Sequence, residues 1–197
     1  MPFWSTNFGE NTDLKDPKRN FRFSVEFTGI QAAQGGATLW YAKSIAKPSF
    51  TISTSEHVYL NHKFFYPGAV TWNDITVNLV DPADPDITAT LSDIVIQSGY
   101  SPPTDATAQN MNSMSKAKAA GALGTVVIKQ LDSNGSAIET WTLWNAFIMD
   151  IKYGDGLAYG NDDLTEIAVQ LKYDWARVDT KVASSAIVGG GNSFFNV

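Results

Sequence analysis

Apolar and polar residues alternate with period two along most of this chain, and the pattern is cleanest from Leu143 to Trp175. Ile167, Val169, Leu171, Tyr173 and Trp175 fall on one side of a strand and Glu166, Ala168, Gln170, Lys172 and Asp174 on the other, the signature of a sheet with one buried face. Phe147, Met149, Ile151 and Tyr153 repeat the alternation before a Gly- and Asp-rich turn, which predicts a strand pair. Phe21, Phe23, Val25 and Phe27 form the apolar side of an opening strand that Gly29 ends. A Gln34-Gly35-Gly36 turn leads to a strand around 38–46, broken by Lys47-Pro48.

The longest alternation runs from Phe50 to Tyr66. Its even positions are Phe50, Ile52, Thr54, Glu56, Val58, Leu60, His62, Phe64 and Tyr66, and its odd ones are mainly Thr51, Ser53, Ser55, His57, Tyr59, Asn61 and Lys63. A straight strand of that length would span on the order of 55 Å, against roughly 40 Å for a compact domain of this size. It therefore either breaks near Glu56 or projects beyond its domain, where an unpaired strand needs a neighbour. Pro67-Gly68 reads as a turn, and a strand follows with Ile75, Val77 and Leu79 inward.

One helix is predicted next, with Asp84 as N-cap, Pro85 in the first turn, Ile87, Leu91, Ile94 and Val95 on one face, and Gly99 at the end. The Ala-, Ser- and Met-rich stretch 101–122 is a loop or a weak helix. Strands 124–131 and 137–144 flank Asn134-Gly135, a hairpin signal. The organisation expected is an arm at 1–18, a β domain at 19–178 with the 101–122 insertion, and a Gly-rich arm at 179–197 carrying Phe194 and Phe195.

Composition narrows the function classes. At 197 residues and 44% hydrophobic, the chain can bury one sizeable core. With 14 Lys plus Arg against 20 Asp plus Glu, the net charge of −6 argues against a protein that grips nucleic acid. The absence of cysteine removes disulfides, thiolate metal sites and Cys nucleophiles. The first residues lack a basic and apolar leader, and no run is long enough for a membrane helix, so synthesis and retention in the cytoplasm are expected.

Candidate chemistry is sparse. The two histidines, His57 and His62, are five apart, and on a single strand they would face opposite ways. No nucleophile elbow or P-loop occurs. Gly154 to Gly160 joins two strands, unlike a dinucleotide loop, and Asp155, Asn161, Asp162 and Asp163 lack calcium-loop spacing. No carboxylate pair is singled out for hydrolysis. No catalytic residue, metal or cofactor is therefore assigned, and the chain is read as non-enzymatic.

Several segments in this order resemble the tail tube protein of contractile-tailed bacteriophages of the T-even type. They are Asn20 to Gly29, Ala42 to Pro48 leading into a long strand, Trp72 to Val80 before a helix, and Trp144 to Trp175 with Gly160-Asn161-Asp162-Asp163-Leu164-Thr165-Glu166-Ile167. The resemblance implies a mainly β fold, a small β-sandwich or barrel with one packed helix, whose strands join those of other copies in a hexameric ring barrel. It further implies rings stacked into a tube that conducts DNA at ejection, with sheath, baseplate and tail terminator proteins as partners. The location implied is the virion, after assembly in the host cytoplasm.

Under that reading Thr51, Ser53, Ser55, His57, Tyr59, Asn61, Glu166, Gln170 and Asp174 line the lumen or a subunit interface. Lys63 and Lys172 are out of keeping with a lining that lets DNA slide. The opposite faces, with Phe21, Phe23, Val25, Phe27, Ile75, Val77, Leu79, Ile167, Val169, Leu171 and Tyr173, form the core. The alternatives are a type VI secretion or related injection tube and, from another class, a carbohydrate-binding β-sandwich.

Overall fold

A computed structural model of the chain describes residues 17–29, 41–84, 86–102, 113–160, 162–180 and 193–194. The Gln34-Gly35-Gly36 turn, Pro85, Asn161, Phe195 and most of both expected arms lie outside these residues.

Eleven strands and two helices occur among the described residues. In chain order the strands are β1 Phe23–Phe27, β2 Ala42–Ile45, β3 Phe50–Tyr59, β4 His62–Trp72, β5 Ile75–Val80, β6 Val126–Leu131, β7 Ala137–Trp144, β8 Phe147–Lys152, β9 Glu166–Lys172, β10 Trp175–Thr180 and β11 Ser193–Phe194. Helices α1 Ile87–Gln97 and α2 Lys116–Leu123 lie between β5 and β6. All pairings are antiparallel, in a five-stranded sheet β1-β6-β7-β10-β11, a four-stranded sheet β2-β5-β9-β8 and a separate ribbon β3-β4. The fold is mainly β, as the alternation requires.

The two larger sheets and both helices share one core. Val25, Phe27, Val126, Ile128, Leu143 and Ala176 enter it from the five-stranded sheet, and Ile75, Val77, Leu79, Ile167, Val169 and Leu171 from the four-stranded one. Tyr173 is buried with them, and Phe23 packs at the edge. Phe21 corrects the expected core: it precedes β1, is 74% exposed and lies under the Arg22 guanidinium.

The helices depart from expectation in two ways. The cap of α1 is Asp86, whose carboxylate accepts from the Ala89 N–H at 2.9 Å, so the helix starts two residues beyond Asp84. The second helix arises from the end of the 101–122 stretch: Ser115 caps α2, and Ala119 and Leu123 bury against the body. Its Ala-rich sequence has helix propensity but almost no apolar stripe, which is why periodicity alone left it undecided.

The last strand pair also contains a sheet change. β8 and β9 pair as expected, but a bulge between Ile148 and Asp150 turns Met149 outward, leaving Ile148 and Ile151 against the core. At Tyr173-Asp174 the chain leaves the four-stranded sheet and re-enters as β10 in the other, so Trp175 does not continue the Ile167–Tyr173 face. The β7–β8 connection changes sheet beside it at Asn145, whose φ is 53°. Asp174 closes both corners, with its N–H donating to the Trp144 carbonyl at 3.1 Å and its carboxylate accepting from Asn145 Nδ2 at 2.8 Å and Lys116 Nζ at 2.7 Å. The Lys116 and Asn145 hydrogen bonds hold the Asp174 carboxyl below the usual range. Trp144 and Trp175 stack over the corners, ring centroids 6.1 Å apart.

Candidate functional site

The uninterrupted alternation from Phe50 to Tyr66 does not form one strand. It folds back at Leu60-Asn61, both at positive φ (45° and 67°), so that Tyr59 faces His62 and Phe50 faces Trp72. Asn tolerates the left-handed region, whereas Leu is unfavourable there. Pro67-Gly68, expected as a turn, lies inside β4 opposite a bulge between Ile52 and Thr54. The expected projection is present as a two-stranded ribbon whose residues 50–71 are all exposed.

The fold-back rearranges the faces. Tyr59 lies across from His62, His57 from Phe64 and Ser55 from Tyr66, so the hydroxyl-rich side of β3 gains aromatic partners. The other face pairs Val58 with Lys63 and Glu56 with Phe65. His57 and His62 therefore share a face, contrary to the single-strand expectation. Thr51, Ser53 and Asn61 are exposed with them, Asn61 in the tip. Tyr59, Leu60, Phe64, Phe65 and Tyr66 are each about half exposed or more, an apolar surface of the kind that marks an association site.

The root of the ribbon is fixed from two sides. Phe50 and Trp72 pack at 5.1 Å, and Trp72 packs on buried Tyr173 at 5.9 Å. Burial pushes the Tyr173 phenol up to about 12. The Asn73 N–H donates to the Ser49 carbonyl at 2.9 Å. On the other side, Lys47 donates from the β2–β3 connection to Gln130 at 2.5 Å and Glu139 at 2.7 Å on the five-stranded sheet. Glu139 also accepts from Lys18 and Trp141.

Periodicity did not single out Glu139, although a carboxylate in the inward phase of Trp141 and Leu143 was the available signal. It is buried. Burial pushes its carboxyl up, but the hydrogen bonds from Lys18, Lys47 and Trp141 outweigh this and lower it from 4.5 to about 2. A depressed carboxylate stabilises the fold above its unfolded value and loses that contribution as pH falls through the folded one, here from about 4.5 to about 2. The contribution is on the order of 3 kcal/mol. Glu139→Gln is expected to be less stable by that order at pH 6 in urea unfolding, with the difference from the parent shrinking by more than half at pH 3. A difference independent of pH would refute this role.

The outward face of the four-stranded sheet is the second candidate surface. Glu166 and Gln170 project from it, along with Thr76, Asn78, Asp150 and Lys172. Asp174 lies past the end of β9 and is engaged with α2 instead. Lys172 is ion-paired with Asp74, Lys43 with Glu166 and Lys152 with Asp155. On the ribbon, Lys63 pairs with Glu56 at 2.9 Å. The two lysines that conflicted with an uncharged lining are thus each neutralised within the chain.

Asn78 Nδ2 donates to Ser44 Oγ at 2.9 Å across the same face. Asp155, a loop carboxylate considered for metal, belongs to the Lys152 pair, and no group of three His, Asp or Glu able to hold an ion occurs among the described residues. No described helix is long and apolar enough to cross a membrane.

No family model and no curated protein matches the sequence. Solved structures do match. A chain in the cryo-EM structure of the anti-feeding prophage baseplate is 18% identical, with a TM-score of 0.59 over 86% of this chain and 100% of that one. A chain in the extended sheath–tube complex of the extracellular contractile injection system PVC is 15% identical, with a TM-score of 0.59 over 85% of this chain and 94% of that one. A chain in the anti-feeding prophage tube-terminating cap is 14% identical, with a TM-score of 0.61 over 89% and 99%. At such identities the likeness is one of fold: the chain shares its fold with chains of these contractile injection assemblies.

Proposed function

We propose that the chain is the tube subunit of a contractile bacteriophage tail, forming hexameric rings that stack into a hollow tube and conduct DNA at ejection. The observation that carries this reading is the β3–β4 ribbon. An isolated two-stranded ribbon is marginal in water, and this one exposes Tyr59, Leu60, Phe64 and Phe65. Burial against further copies removes that apolar area from water. Ring closure in addition pairs outer strands such as β2 and β8, the edges of the four-stranded sheet.

In this role the chain is structural rather than enzymatic, binds no cofactor, and meets sheath, baseplate and terminator proteins in a virion assembled in the host cytoplasm. A second reading, the tube of an injection particle that delivers protein, is favoured by the fold likeness to chains of the anti-feeding prophage and PVC. Gene neighbours separate the two: capsid and portal genes for a phage, their absence for an injection particle. Negative-stain microscopy of the purified chain is expected to give rings or hollow tubes. A strictly monomeric species at high concentration would overturn the assembly reading.

A further inference from the structure

We propose that Asp74 and Glu166 set cargo slip: by occupying Lys172 and Lys43 they keep the outward face of the four-stranded sheet, taken as the surface facing the cargo, from holding a polyanion. This inference rests on the tube reading and adds to it which residues decide whether DNA slides or sticks.

The face is mostly polar, with half-buried Val80 beside Glu166 and Phe147 beside Lys172 as its apolar members. β5 contributes Thr76 and Asn78, β9 contributes Glu166, Gln170 and Lys172, and β8 contributes Asp150 and Lys152, by register with one another and opposite the buried Ile75, Val77, Ile167, Val169 and Leu171. The outward side of the five-stranded sheet is similar in kind, with half-buried Val127 and Ile138 among Glu26, Lys129, Thr140 and Thr142. On the tube reading the four-stranded sheet is assigned to the cargo, and the five-stranded sheet, with its own Glu26–Lys129 pair, is the alternative that the test separates.

On and beside that face stand three lysines, Lys43, Lys152 and Lys172, and five carboxylates, Asp74, Asp150, Asp155, Asp163 and Glu166. Each lysine is bound to a carboxylate of the same chain. Gln170 Nε2 adds a donor to Asp74 at 3.4 Å. A free lysine attracts DNA because contact with a phosphate releases condensed counterions. A lysine already held by a carboxylate must first give up that partner, and the field of the close pair falls off within a Debye length of roughly 8–10 Å. With Asp74 and Glu166 removed, Lys172 and Lys43 become phosphate ligands repeated in every subunit.

The test uses assembled tubes of the full chain and a short fluorescein-labelled DNA duplex, read by co-sedimentation over a range of salt. Parent tubes are expected to retain little duplex. Tubes of the Asp74→Asn, Glu166→Gln double variant are expected to retain about tenfold more, with a log–log salt slope steeper by about 1 or more. The retained DNA should resist nuclease. Adding Lys172→Met and Lys43→Met should return retention to the parent level.

Unchanged retention in the double variant overturns the inference, as does nuclease-sensitive binding. An equal gain from Glu26→Gln, which frees Lys129 on the five-stranded sheet, does so too. Should the double variant not assemble, fluorescence anisotropy of the unassembled chains decides: a gain over the parent supports the inference and no gain rejects it. Failure of the parent chain to form tubes strikes the tube reading instead, and is seen before any DNA is added.

Discussion

Gly124→Ala is expected to remove much of the stability of the fold. Gly124 ends α2 at φ +71° and ψ −159°, a region that residues with a Cβ scarcely enter. A Cβ there would lie 2.4 Å from the Gly29 nitrogen, and one on Gly29 would lie 2.3 Å from the Ala122 carbonyl oxygen. Backbone thus rests on backbone where β1 ends against α2. The contact is held by the Gly29 N–H to the Leu123 carbonyl at 3.1 Å and the Thr28 N–H to the Thr125 carbonyl at 3.0 Å.

Backbone strain of about 1–3 kcal/mol and overpacking of a similar size give a loss of about 2–6 kcal/mol, set against a typical total of about 5–15 kcal/mol. Urea unfolding measures it. Gly121→Ala is the control: it lies within α2 with open space around its missing Cβ, and should stabilise by about 0.5–1 kcal/mol. A Gly124→Ala protein within about 0.5 kcal/mol of the parent would mean the contact is not as tight as the geometry requires.

The second large effect is on assembly without unfolding. Tyr59→Thr, Phe64→Thr and Phe65→Thr together keep strand-favouring residues in the ribbon but remove three of its aromatic rings. Buried aromatic anchors at interfaces are worth about 2 kcal/mol or more each, or roughly 30-fold in affinity. The triple variant should therefore form no rings or tubes at concentrations where the parent does. Its urea midpoint should stay near that of the parent, because none of the three side chains enters the core. Tubes of normal yield from this variant would place the subunit contacts elsewhere.

Strands β1, β5 and β9 were legible because each keeps one inward phase from end to end. The ribbon was harder: Leu60-Asn61 is not a glycine-bearing turn pair, and the alternation runs through it without a break, whereas Pro67-Gly68 looks like a turn and lies in a strand. Trp175 was misplaced for a related reason. Period two continues across Asp174, and only the tertiary corner changes the sheet. The ion pairs that define the polar face were not legible at all, since Lys172 and Asp74 are brought together from 98 residues apart.

The ribbon also behaves as a lever. Ten residues of strand extend about 33 Å, so a tilt of about 10° at the root carries the tip through roughly 6 Å at that rise per residue. The fulcrum is small: Trp72 on Tyr173, Asn73 on Ser49, and Lys47 on Glu139. Whatever the tip touches, the place it arrives is decided at these joints. Substitutions there would alter the pitch and bending stiffness of a filament while leaving every contact residue in place.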